Sequence, residues 1–326
     1  MKSTAGHHRN SHPRSGFTWI DVAVTLLILA VLAALLLPAQ RNAREAARRA
    51  ECQNQMKHLC TAVMNYASTS NGILPWLSIE EDERIVSNWL TDLLPALDNA
   101  ATLKEWQDSQ FAFSLTMFQC PEDPTSLHVD GGLSYVANAG FGDFTIDPET
   151  NSVFETKPHG QGSIDWDGDG EITKSDRLKT IATGVFWPQR DGDKFRSCLH
   201  YIAAGDGQAN TFLFAESLNA GKWNSAKTLD IAFVVGLDRI RFENPPSSND
   251  CLKLAGADLG PYAPAGGKVP RHTPSPSSNH LGTSIYGFAD GAARQISDKI
   301  DPTVYLRLMT PNGQRFGQVV DGLEDY

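Results

Sequence analysis

Positive charge is scarce in this chain, cysteine is sparse, and several familiar chemical signatures are missing. Across 326 residues, 28 Lys and Arg stand against 38 Asp and Glu, a formal charge of -10. Phosphate binding needs clustered cations, so this balance argues against a broad nucleic-acid surface, and no nucleic-acid partner is expected. Cys52, Cys60, Cys120, Cys198 and Cys251 form no CxxC pair, so neither a zinc ribbon nor a redox dithiol is indicated. Their odd number leaves at least one thiol unpaired within the chain. The sequence does not choose between one or two disulfides in an exported domain and five buried or reduced cysteines. There is no internal repeat and no GxSxG nucleophile motif. What the chain has is 41% hydrophobic residues and 20% charged ones, enough for one large globular domain or two modest ones.

Charge is also absent from Val22 to Leu37. With Phe17 to Asp21 in front, this makes an apolar helix of about 21 residues, roughly 30 Å, the thickness of a bilayer core. A transmembrane helix is therefore expected over 17–38. An ordinary secretory signal would follow its apolar run with small residues at a cleavage site. Here the run meets Pro38 and then Arg41, Arg44, Glu45, Arg48 and Arg49, a charged helical continuation. The break lies before it, at Ser15-Gly16-Phe17-Thr18-Trp19-Ile20-Asp21. A carboxylate such as Asp21 in an apolar helix costs several kcal/mol unless a cation meets it. Lys2, Arg9 and Arg14 belong to the first sixteen residues and favour a cytoplasmic leader, although the arginines after Pro38 oppose that rule.

Beyond Pro38, where a kink is expected, apolar residues recur at Ala43, Ala46, Ala47, Ala50, Met56, Leu59, Cys60, Val63 and Ala67, the spacing of one helix face. This predicts an amphipathic helix over 39–71, ended by Asn71-Gly72 with Pro75 beyond. A second helical region is expected from Trp76 to Phe118, with Trp89, Leu90, Leu93, Leu94 and Leu97 as its stripe. After Cys120 the chain alternates Gly, Pro, Asp and Asn with short apolar runs such as Thr211–Phe214 and Ile231–Val235, which read as strands. The expected fold class is α+β: a long N-terminal helix packed on an antiparallel sheet, in a head spanning 72–326. The stretch Pro245–Ser278 reads as a surface excursion.

The segment around Gly16 resembles the prepilin cleavage and methylation motif of type IV pilin-like proteins. That resemblance implies a leader over 1–16, removal by prepilin peptidase between Gly16 and Phe17, and methylation of Phe17. It places Asp21 where the family normally has glutamate, facing the amino terminus of a neighbouring subunit. Downstream, Pro38-Ala39, Ala43-Arg44-Glu45-Ala46-Ala47-Arg48-Arg49 and Cys52-Gln53-Asn54-Gln55-Met56-Lys57 resemble a bacterial group that pairs this amino terminus with a C-terminal H-x9-DG domain. Further matches are Phe118-Gln119-Cys120-Pro121-Glu122-Asp123-Pro124, Gly205-Asp206-Gly207-Gln208-Ala209-Asn210-Thr211 with Glu216 beyond, and His280 followed after nine residues by Asp290-Gly291. By resemblance, the protein sits in the inner membrane as a single-pass protein with its head periplasmic or extracellular. Other pilin-like subunits are possible partners through the N-terminal helix. Asp290-Gly291 reads as a hairpin turn, with His280 in a structural pairing; the sharper alternative is an acid–base pair or metal ligands.

One chemical motif is more specific. Asp165-Trp166-Asp167-Gly168-Asp169-Gly170-Glu171-Ile172-Thr173-Lys174-Ser175-Asp176 fits a twelve-residue EF-hand-type loop. Asp165, Asp167 and Asp169 supply carboxylates at positions one, three and five. Glu171 offers its backbone carbonyl, Thr173 its hydroxyl or a water, and Asp176 closes the shell with a shorter arm than the usual glutamate. Ca2+ is the implied cofactor, stiffening the loop; the plain alternative is an acidic solvated turn. Two functions remain in view: a non-enzymatic structural or assembly role for an anchored head, or an anchored glycan-binding module or hydrolase. Exposed tryptophans lining a groove would favour the second.

Overall fold

The computed structural model describes residues 16, 18–82, 84–142, 144–146, 153–155, 157–190, 193–236 and 276–316. The chain forms two units, Met1–Ala47 and Arg48–Tyr326. Helix α1, Trp19–Thr69, is a single α-helical stretch that passes through Pro38. Thr18 starts it: its N–H and hydroxyl both donate to Asp21 Oδ2, at 3.0 and 2.6 Å, a local use of the carboxylate at a helix N-terminus. In this first unit Trp19, Ile20, Leu26, Leu27 and Leu29 are each more than half exposed, Trp19 at 82%. Among the described residues no helix is long and apolar enough to cross a membrane. The side chains of 35–43 lie outside the description, so the contiguous described apolar stretch ends at Ala34, short of the roughly 20 residues a span needs. Phe17 and residues 1–15 of the expected leader also lie outside the described residues.

In the second unit α1 buries one stripe, Cys52, Met56, Leu59, Cys60, Val63 and Ala67. Ala46, Ala47 and Ala50 are exposed, so the stripe begins later than the periodicity predicts. The helix stops where Asn71-Gly72 predicts it. Asn71 and Gly72 take left-handed φ values of 55° and 79°, and Gly72 N–H donates to Ala67 O at 2.7 Å.

The region expected to be helical from Trp76 opens instead with a hairpin of β1, Ser78–Glu81, and β2, Arg84–Asn88. Helix begins only at α2, Trp89–Leu93, which Asn88 caps reciprocally with Thr91. Pro95 then forces the turn Leu94–Leu97 into 3-10 form, and α3, Ala100–Ser109, follows. The Trp89 to Leu97 stripe is real, but proline divides it between elements.

The head's sheet has the order β7-β3-β6-β8-β9, built from β3 (Tyr135–Gly142), β6 (Phe212–Glu216), β7 (Ala232–Gly236), β8 (Thr283–Phe288) and β9 (Ala293–Ser297). β4, Phe144–Ile146, and β5, Val153–Glu155, form a separate pair. The expected antiparallel sheet is thus corrected to a mixed one. Helices α4, Lys174–Ile181, and α5, Leu199–Ala204, precede β6; after it the chain passes through the short helix α6, Thr228–Ile231, and enters on the far side of β3, parallel to it. Periodicity carries no information about that crossover.

Both faces of the sheet are covered. On one, Tyr135, Ala137, Phe214 and Ile285 join the α1 stripe and Trp89 in a core. On the other, Val136, Phe212, Phe233 and Tyr286 pack with Trp166 and with Tyr305, Leu306 and Met309 of α7, Pro302–Met309. Every residue of β3 and β6 is buried, including the polar Asn138 and Glu216 in otherwise largely apolar strands. Gly287 sets how closely α1 approaches: a Cβ there would lie within 3.0 Å of both Cys60 Sγ and Met56 Sδ.

Candidate functional site

The acidic loop is positioned from its two ends. At the front, Trp166 enters the second core, its Nε1 donating to Thr180 Oγ1 at 2.9 Å. At the back, Thr173 caps α4, Lys174–Ile181: Asp176 N–H donates to Thr173 Oγ1, while Thr173 N–H and hydroxyl both donate to Asp176 Oδ2 at 2.9 and 2.6 Å. Gly168 and Gly170 take φ values of 73° and 87°, which let the chain curl back over Asp165. Asp165 accepts from Gly168 N–H and Gly170 N–H, each at 2.8 Å, and Asp169 accepts from Glu171 N–H.

Carboxylate oxygens of Asp165, Asp167 and Asp169 gather within 4.8 Å of one another. The N–H of Gly170, then that of Gly168, hold Asp165 below the usual carboxylate range despite some desolvation. Desolvation, then the hydrogen bond shared with Asp165 and the charges of Asp169 and Asp176, push Asp167 upwards. Asp176 is buried. Burial raises its pKa, but the hydrogen bonds from Thr173 and Trp166 outweigh that and leave it lowered. The structure therefore brings three of the six expected ligand residues together. It keeps the Asp176 and Thr173 side chains in the helix cap, and Glu171 offers its carbonyl from an exposed turn. Three hard carboxylate oxygens around left-handed glycines suit a hard divalent cation.

A second constellation lies inside the head, where His280, Glu216, Cys52 and Cys120 converge, all buried. Cys52 of α1 and Cys120 form a disulfide with Cα atoms 5.2 Å apart, settling a pairing the sequence left open. Cys60 is a buried free thiol, which burial pushes up to about 12; Cys198 is free and partly exposed, and Cys251 lies outside the described residues. His280 Nε2 lies 3.6 Å from Cys120 Sγ and 3.2 Å from Glu216 Oε1. The second contact lacks hydrogen-bond geometry, and among the described residues neither Glu216 Oε1 nor His280 Nδ1 has a hydrogen-bond partner. Glu216 Oε2 accepts from Ile285 N–H at 2.9 Å, tying the end of β6 to β8.

Asp123 organises the surrounding loop. Its Oδ1 accepts from Thr125, and its Oδ2 accepts from the hydroxyls of Ser126 and Ser134; Ser134 Oγ in turn accepts from Cys120 N–H. A narrow cleft lined by Cys120, Glu122, Asp123, Glu216, Ser277 and Asn279 reaches the cluster.

His280 and Asp290 do not form a pair. Asp290 is an exposed turn residue between β8 and β9 that accepts from Ala292 N–H and pairs with Arg294, and Gly291 takes φ 83°. The hairpin expectation holds; His280's real partners are Glu216 and the disulfide. Glu216, which the sequence marks only as the residue beyond the Gly205–Thr211 match, is the last residue of β6. Asp206 accepts from Thr310 Oγ1 and Gly313 N–H, fastening the turn before β6 to the chain after α7. Trp89, Trp106, Trp166, Trp187 and Trp223 are buried, and Trp76 lies beneath Arg196, so these tryptophans line no open groove.

No curated protein and no solved structure matches this chain. The model of one family, described as "Protein of unknown function (DUF1559)", matches residues 41–303. That stretch takes in both the acidic loop and the Cys52, Cys120, Glu216 and His280 cluster, and by it the chain belongs to the DUF1559 family.

Proposed function

We propose that this protein is a membrane-anchored, pilin-like envelope protein with a structural or assembly role. Prepilin peptidase cuts between Gly16 and Phe17, and the apolar helix that follows anchors the chain in the inner membrane in a single pass. The head then lies in the periplasm or outside the cell. The observation that carries this reading is the asymmetry of α1. Its N-terminal residues present Trp19, Ile20, Leu26, Leu27 and Leu29 to solvent, whereas from Cys52 it seals one apolar stripe into the head. Apolar surface left in water forfeits about 25 cal/mol per Å2, so the first part of the helix calls for lipid or for the helices of neighbouring pilin-like subunits. In such a bundle Asp21 meets the amino terminus of the next subunit, exchanging its bonds from Thr18 for an ion pair.

The acidic loop holds Ca2+ in this reading. Asp165, Asp167 and Asp169 give side-chain oxygens and Glu171 its carbonyl, while Asp176 and Thr173 complete the shell directly or through water. The ion replaces the N–H groups of Gly168 and Gly170 as partners of Asp165 and relieves repulsion among the acids. Its effect is to stiffen the connection into α4.

Gly16→Ala tests the anchor. It should leave the leader attached, and a membrane-fraction mass unchanged from the processed form would sink the prepilin reading. For the loop, Ca2+ should raise the melting temperature of the head, and the Asp165→Ala, Asp167→Ala double variant should abolish that rise. A double variant that responds like the parent would assign the ion elsewhere.

A further inference from the structure

We propose that Cys52, Cys120, Glu216 and His280 form a buried four-ligand site for Zn2+ that closes on the metal when the two cysteines are in the dithiol form. One donor atom from each residue lies within 4.8 Å of all the others. Zn–S bonds of about 2.3 Å and Zn–N or Zn–O bonds of about 2.0–2.2 Å place tetrahedral donors roughly 3.3–3.8 Å apart. The observed separations, 3.6 Å from Cys120 Sγ to His280 Nε2 and 3.2 Å from His280 Nε2 to Glu216 Oε1, fall on or close to those edges. The sulfurs must part, which rotation about their Cα–Cβ bonds supplies, and the remaining donor pairs, all within 4.8 Å, must draw in to those edges.

The unused valences support the same assignment. Glu216 Oε1 is a buried carboxylate oxygen with no hydrogen-bond partner among the described residues, held toward His280 Nε2 without hydrogen-bond geometry. That close approach without a bond leaves a lone pair on each atom for a common third atom. Glu216 is already oriented by Ile285 N–H, and the Cys120 backbone by Ser134 Oγ. Two thiolates, an imidazole and a carboxylate form a borderline-soft set that selects Zn2+ over Ca2+ or Mg2+. The four residues come from four separate segments, so no CxxC signature announces them.

The chemistry balances with a dithiol reductant. Its two thiols reduce the Cys52–Cys120 bond, becoming a disulfide and passing two electrons and two protons to the cysteines. Zn2+ then displaces those two protons as the thiolates bind. Disulfide and metal are alternative cross-links at one point, both fastening α1 to the loop after Phe118. The inference does not rest on the anchor or on Ca2+.

To test it, the full chain is reduced with a phosphine in excess Ca2+, without oxygen, and titrated with Co2+. One equivalent should produce the intense visible bands of tetrahedral Co2+ with thiolate charge transfer, and Zn2+ should displace it. X-ray absorption of the Zn2+ form should read two sulfur and two nitrogen or oxygen neighbours. The oxidised chain should show neither signal, Cys120→Ser should weaken the charge-transfer band, and the Cys52→Ser, Cys120→Ser double variant should lose it. His280→Gln should weaken Zn2+ by more than the roughly 10–100-fold that losing an outer-shell partner costs. Should that variant fail to fold, the parent's spectra decide alone. The proposal is overturned if the reduced parent, folded by circular dichroism, lacks the bands, if reduction unfolds it and Zn2+ does not restore it, or if the disulfide form binds Zn2+ equally well.

Discussion

The acidic loop and the His280 cluster put the same kinds of side chain to opposite uses. The loop draws its carboxylates from twelve consecutive residues, leaves Asp167 and Asp169 in solvent, and satisfies them with its own N–H groups. The cluster draws four side chains from positions 52 to 280, buries all of them, and leaves Glu216 Oε1 and His280 Nδ1 without hydrogen-bond partners among the described residues. A local site can be gained or lost with little cost to the fold. A site assembled across the chain is part of the fold, because the segments that make it are those it holds together.

That contrast can be broken by experiment, beginning with the largest effect. Replacing Cys52 and Cys120 together by Ser removes a cross-link between residues 68 apart, and should cost about 4 kcal/mol in denaturant unfolding. A loss below about 1 kcal/mol would show that packing alone fixes α1 at that point. Next is acid. His159 is fully buried between Phe144 and Trp187, and burial, with the charge of Arg190, depresses its pKa to about 3. Its folded state binds fewer protons than the unfolded chain, so stability is intact above pH 6.5 and drains away toward pH 3, by a few kcal/mol in all. Asp92, raised by burial to about 6, works in the opposite sense between pH 3.8 and 6 and partly offsets this loss. His159→Phe should flatten the acid limb; an unaltered limb would place the dominant titration elsewhere.

Glu216→Ala strips the partners from His280 and Ile285 N–H and should cost about 3 kcal/mol. Gly287→Ala drives a methyl into Cys60 and Met56 and should cost about 1–3 kcal/mol, mostly by loosening α1. Smallest of all, Asp165→Ala without Ca2+ should change stability by less than about 1 kcal/mol. If it matched Glu216→Ala, the loop would be as much a part of the fold as the cluster is.

The difference between the sites is also why one was legible in the sequence and the other was not. Alternate carboxylates with glycines at set positions are a pattern in one dimension, and the loop folds around that pattern. His280 stood out in a motif whose other half, Asp290-Gly291, is a turn facing away from it. Its actual partners are 64 and 160 residues distant, beyond the reach of any spacing rule. Among the elements, the end of α1 and strands β6 and β7 follow from Asn71-Gly72 and from apolar runs. The parallel seating of β7 depends on a crossover through α6, and the hairpin before Trp89 on short strands that resemble a continuation of the helix. Pro245–Ser278, read as a surface excursion, falls mostly outside the described residues.

Among the described side chains of α1, Cys52 is the first that is deeply buried, and it is bonded covalently to the head. Tension drawn along the helix from its N-terminal side therefore reaches a sulfur–sulfur bond before it reaches Met56, Cys60 or Val63. The load passes into the loop pinned by Asp123 rather than peeling the helix away one turn at a time.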